Sequence, residues 1–117
     1  MLFRSPVSPD LARLADREAS QRAGLAEASR AHDSDIALPP LGGDLLPFQR
    51  AGVAYAVQAR RCFIADEMGL GKTAQALATL EMTGAYPAVV VCPATLVLNW
   101  ENEVRRWLPG QIGRAHV

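Results

Sequence analysis

The stretch FIADEMGLGKTAQALA, Phe63 to Ala78, decides how the rest of the chain is read. Cys62 to Ala65 form a short continuous apolar run, the pattern of a strand buried on both faces. A glycine-containing loop follows, and from Gly71 to about Met82 alanine and leucine recur with helical period, placing Ala74, Leu77 and Leu80 inward. Strand, loop, helix is the setting in which the pattern G-x-x-x-x-G-K-[ST] cradles phosphate. The first glycine of that pattern is replaced by Asp66, so the loop opens on two acids, Asp66 and Glu67.

The loop chemistry is local. Gly69 and Gly71 permit positive φ and carry no side chain, so the backbone N–H groups around Leu70 can converge on phosphate oxygens. The helix that begins near Gly71 adds unpaired donors and the positive end of its dipole. Lys72 is placed to reach the outer phosphates, and Thr73 offers a hydroxyl to Mg²⁺. Eleven of the twelve basic residues are arginine, and the single lysine is Lys72. An ammonium is a compact point charge that fits among phosphate oxygens, whereas arginine's fork suits bidentate contacts. A nucleoside triphosphate with Mg²⁺ is thus the expected ligand. Asp66 is expected to bond loop N–H groups and to face away from the phosphates, since a carboxylate aimed at them would be repelled.

Working outward, Pro9 to about Ala31 is an alanine- and arginine-rich helix capped by Ser8, with a thin apolar stripe of Leu11, Leu14 and Leu25. His32 to Asp44, HDSDIALPPLGGD, has the prolines, glycines and aspartates of a linker. Asp44 is positioned to cap the next helix, with Pro47 in its first turn. That helix runs to about Arg60, with Phe48, Ala51, Tyr55 and Ala59 along one face. Pro87 to Pro93, PAVVVCP, has the β-branched content of a second buried strand. Thr95 onward is an amphipathic helix with Leu96, Trp100, Val104 and Trp107 on one face, stopped at Pro109-Gly110.

Alternation of this kind predicts an α/β fold: a parallel sheet, incomplete because only two strands are present, with flanking helices and a preceding N-terminal helix and linker. The expected organisation is an N-terminal helix and linker over 1–44 and part of a phosphate-binding α/β lobe over 45–111. The last six residues, IGRAHV, look like a translated sequencing adapter, so 112–117 are expected to be foreign to the natural protein.

Composition bounds the function. The 117 residues are half hydrophobic with zero formal net charge, so any nucleic-acid contact must be a local patch. No apolar run approaches a membrane span or a secretory signal, which leads to the expectation of a cytoplasmic protein. Cys62 and Cys92 fall in apolar runs and are expected as buried free thiols; with His32 and His116 far apart there is no metal-ligand cluster.

Three segments, LLPFQRAGVAYAV, ADEMGLGKTAQALA and VVVCPATLVLNWENEVRRWLP, together resemble the Swi/Snf-type helicase-like ATPases of superfamily 2, over Leu45 to about Gly110. D-E-M-G-L-G-K-T is that family's form of the phosphate loop, which accounts for the acids at its start. LLPFQRAG with RWLP is most similar to the DNA-rewinding branch and its bacterial relatives. The resemblance implies that Gln49 reads adenine, because an amide donates and accepts at once and so complements N6 and N7. It implies that the sheet is of RecA-like (P-loop) type, that 45–111 are the N-terminal part of an ATP-binding lobe, and that Gly69, Leu70, Gly71, Lys72 and Thr73 hold ATP, with Thr73 on the Mg²⁺. It implies that Pro93 and Thr95, in CPATL, lie near the DNA backbone. Trp100 and Trp107 have the spacing of core residues, and Arg105-Arg106 that of a solvated face.

The family also needs an acidic D-E-x-H strand and a second lobe, and neither occurs in this chain. The expectation is therefore part of an ATP-dependent duplex-DNA translocase, nucleoid-associated in a bacterium, that does not turn over ATP alone. Two other classes stay open on the residues: a P-loop kinase or GTPase, against which Gln49 and the lack of an N-K-x-D element speak, and a non-catalytic nucleotide-binding or interaction module.

Overall fold

A computed structural model describes residues 8–65 and 68–111. The Asp66-Glu67 pair and the Ile112–Val117 tail, on which two of the expectations above fall, lie outside them. Four helices follow in order: α1 (Pro9–Ala28), α2 (Pro47–Ala59), α3 (Lys72–Thr83) and α4 (Val97–Trp107). Short 3-10 turns at Ala94–Leu96 and Pro109–Gln111 bracket α4.

The helix starts follow local chemistry. Ser8 Oγ accepts a bond from the Asp10 N–H at 3.2 Å, and Pro9 supplies the preset φ of a first helical residue. Pro47 does the same for α2, but the cap differs from expectation. The residue ahead of Pro47 is Leu46, and its N–H donates to Gln49 Oε1 at 2.9 Å. This is the return half of a capping box, in which the third helical residue reaches back to the cap's backbone. Asp44 is not the cap.

The core is helix on helix. Leu45, Val53, Ala74, Leu77, Ala78, Trp107 and Leu108 form one buried cluster drawn from α2, α3 and α4 and the residues flanking them. Trp100 and Val104 pack against it, so α4 turns inward the face its period predicts from Trp100 to Trp107, while Leu96 stays exposed. Helix α2 is rotated from its expected face: it buries Gln49, Ala51, Val53 and Ala56, not Phe48 and Tyr55. The segment before α2 also contributes, because Ile36, Leu38 and Leu41 pack on the cluster. The Gly42 N–H donates to the Trp107 carbonyl at 2.9 Å, and a Cβ at Gly42 would overlap the Arg106 carbonyl. Helix α1 buries no residue and, among the helices, touches only α2.

The expected parallel sheet is not formed, and the fold is helical and not the α/β, RecA-like arrangement. No strand or bridge occurs among the described residues. Cys62–Ala65 and Pro87–Pro93 are irregular, and their apolar side chains face solvent: Phe63 is 93% exposed, Val89 89% and Val91 93%. A strand exists only through ladder bonds to a neighbouring backbone, and no such ladder joins these segments to another described residue. Their β-branched, apolar composition marks suitability for a pleated surface; it does not provide one. The thiols move with them, Cys62 being exposed and Cys92 half-buried, both free.

Candidate functional site at the head of α3

The site is built where the glycine loop enters α3. Gly69 has φ 85° and Gly71 φ 76°, both in the left-handed region that favours glycine. At Gly69 this is the whole requirement, since a Cβ there would meet nothing within 4 Å. At Gly71 space matters too, because a Cβ would overlap Gln49 Nε2. Gly71 is the residue that caps α3, and its carbonyl accepts the Gln75 N–H at 3.1 Å. Among the described residues no side chain caps α3, and no acid lies in its first turn. The first-turn N–H groups, with Lys72 and Thr73 half-buried beside them, therefore make a donor-rich end suited to an anion.

Gln49 is the residue that ties this loop to the core. It is 8% exposed, and its amide is used at both ends. Oε1 accepts from the Leu46 N–H at 2.9 Å, while Nε2 donates to the Leu70 carbonyl at 3.0 Å, across 21 residues of sequence. The packing behind it is close. Gln75, fully buried on α3, lies against Gly52 of α2, where a Cβ would overlap its Oε1. Gly52 and Gln75 thus set how near α2 comes to α3, and so how near Gln49 comes to the loop. Neither was singled out by sequence reading; the signal was a glycine inside the apolar pattern of α2, which often marks a close approach.

Of the residues expected at the site, the structure brings together Gln49, Gly69, Leu70, Gly71, Lys72 and Thr73. Pro93 and Thr95 are both exposed, and the Pro93 carbonyl accepts the Leu96 N–H at 2.9 Å to open the turn ahead of α4. Among the described residues no hydrogen bond links them to the loop. Arg105 pairs with Glu101 one turn back, and Arg106 lies over the Trp107 ring at 5.5 Å, the solvated face their spacing implies. Trp107 is buried, with Nε1 donating to Glu103 at 2.9 Å, so it is a core residue.

Two cavities lie near by, and none of Gly69 to Thr73 lines either. One of about 660 Å³ is apolar, between α3, α4 and Tyr86–Cys92. At its rim the Tyr86 hydroxyl donates to Glu81 at 2.7 Å; burial first, then this bond and the Glu81 charge, push the phenol up to about 12. The other, about 670 Å³, lies between the end of α1, α2 and Phe63–Ala65. Among the described residues no group of three His, Cys, Asp or Glu could hold a metal, and no helix is long and apolar enough to cross a membrane.

Comparison with known proteins bears on what this geometry serves. The model of the SNF2-related domain matches residues 15–117. The chain is similar to the DNA annealing helicase and endonuclease ZRANB3 of Homo sapiens, 42% identical over 71 residues that make up 59% of this chain and 7% of that protein. It is 46% identical over 71 residues, 59% of this chain and 8% of the relative, to the SWI/SNF-related matrix-associated actin-dependent regulator of chromatin subfamily A-like protein 1 of Bos taurus. To the DNA repair and recombination protein RAD54-like of Mus musculus it is 42% identical over 92 residues, 63% of this chain and 12% of the relative. The chain thus spans about a tenth of the length of the curated relatives it matches. No solved structure matches it.

Proposed function

Because this chain belongs to the SNF2-related domain family, and so to the Swi/Snf-type helicase-like ATPases, we propose that it is the nucleotide-binding part of an ATP-driven motor on duplex DNA. The observation that carries this reading is the junction at Gly69–Thr73. Two left-handed glycines lead into a helix end that, among the described residues, has no side-chain cap and whose first turn carries no acid. Such an end takes phosphate.

In this reading Gly69, Leu70 and Gly71 present backbone N–H groups to the phosphates, Lys72 neutralises their outer charge, and Thr73 places its hydroxyl toward Mg²⁺. ATP, when bound, supplies the anhydride whose cleavage drives the motor. Gln49 reads the base. A glutamine amide has two N–H donors and two acceptor sites, and the structure uses one of each, on Leu70 and Leu46. One donor and one acceptor remain for adenine N7 and N6, whereas guanine presents two acceptors there. The names of the relatives, a DNA annealing helicase and a DNA repair protein among them, support DNA as the track. Pro93 and Thr95, exposed ahead of α4, are then the candidates for its phosphates. The acidic pair and the second lobe that hydrolysis requires would come from a longer protein, of which this chain is a piece.

The test is Lys72→Ala in that longer protein. DNA-stimulated ATP hydrolysis should fall at least about a hundredfold, since the residue stabilises transferring charge. Turnover within about twofold of wild type would refute the role of Lys72. GTP competing as well as ATP would refute the role of Gln49 in reading the base.

A further inference from the structure

Gln49 does more in this structure than face a base. Its Nε2 holds the Leu70 carbonyl, in the middle of the phosphate loop, and fills the space that a side chain at Gly71 would take. Its Oε1 holds the backbone at the start of α2. One buried amide therefore spans from the head of α2 to the head of α3. We propose that Gln49 is a positioning residue for the phosphate loop, shaping it for the phosphates whether or not a base is present.

The physical case is short. A loop that must gather several N–H groups around an anion has to keep its carbonyls turned elsewhere, because a carbonyl oxygen facing a phosphate oxygen repels it. With two glycines, the loop has little stiffness of its own to enforce this. Leu70 lies between them, and its carbonyl is the one that Gln49 restrains. The restraint is anchored in the core: Gln49 is buried, and α2 and α3 approach closely where the fully buried Gln75 lies against Gly52. Preorganisation of this kind raises affinity by removing an ordering cost at binding.

This inference rests on the nucleotide reading of the loop, and the two can fail separately. The ¹⁵N-labelled 117-residue chain is titrated with Mg²⁺-ATP and with sodium tripolyphosphate, which has phosphates and no base, following the amides of Gly69, Gly71 and Lys72. Wild type should respond to both. Gln49→Met keeps length and helix propensity but has no amide, and should bind both more weakly by about fivefold or more, the factor one hydrogen bond carries. A variant that loses affinity for ATP yet binds tripolyphosphate within about twofold of wild type overturns the inference and leaves Gln49 as a base reader only. Wild-type amides silent to both ligands overturn the nucleotide reading itself, and the positioning role with it. If the variant lacks the helical circular dichroism of wild type, the wild-type side-chain amide decides: the Gln49 Nε2 protons should shift on adding tripolyphosphate, and protons that stay put refute the coupling.

Discussion

Replacing Gly71 by alanine tests the junction on which the candidate site depends. Two costs are visible. At φ 76° an alanine pays the left-handed penalty of about 1–2 kcal/mol. Its Cβ would also overlap Gln49 Nε2, so the amide must leave the Leu70 carbonyl and forfeit a bond worth about 1 kcal/mol. The expected loss is therefore about 2–3 kcal/mol of folding stability. Gly69 is the internal control: its φ of 85° carries the same conformational penalty, but the space around it is open. Gly69→Ala should cost about 1 kcal/mol less than Gly71→Ala. Urea unfolding followed by helical circular dichroism measures both, and a double-mutant cycle with Gln49→Ala isolates the shared term. In the Gln49→Ala background Gly71→Ala should fall to the cost of Gly69→Ala. Equal costs for the two glycines in the wild-type background, or a Gly71 cost that ignores Gln49, would refute the reasoning.

Other outcomes follow from the same structure. Gly42→Ala places a Cβ on the Arg106 carbonyl, which is backbone and cannot rotate away, so the Gly42–Trp107 bond should break at a cost of about 2 kcal/mol or more, with tryptophan fluorescence reporting the loosened end of α4. Leu77→Ala, in the core, should lose about 2–5 kcal/mol, whereas Val89→Ala at an exposed position should change stability by no more than about 0.5; a large Val89 effect would restore a buried strand there. Tyr86 should ionise near pH 12 by phenolate absorbance, against about 10 in Glu81→Gln unfolded by urea. Its folded pKa is raised, so its contribution is complete below the unfolded value and is lost as pH climbs from about 10 through about 12; stability that instead rises across that window would contradict the Tyr86–Glu81 contact.

The parts of the site legible in the sequence are those whose conformation is decided within a few residues. Gly69 and Gly71 were expected at positive φ and are found there. The helix after them begins where its period begins, with Ala74 and Leu77 inward. Pro9 and Pro47 stand at first helical positions as their fixed φ requires. The face of α2 was misplaced because large aromatic residues outweighed Gln49, which no hydropathy pattern would send inward. Its burial becomes favourable only with two partners, Leu46 and Leu70, one of them 21 residues away.

By itself the sequence determined the helices and the loop that opens α3, since a helix bonds each N–H to a carbonyl four residues back and a left-handed turn needs only its glycine. Tertiary structure decided the rest. Whether Cys62–Ala65 and Pro87–Pro93 became strands depended on a second backbone to pair with, and among the described residues none is placed to do so. Whether Ile36, Leu38 and Leu41 lay on the core depended on the space at Gly42, beneath the end of a helix more than sixty residues further on. Local bonds carry their instructions with them, and bonds between distant segments wait on where the chain folds.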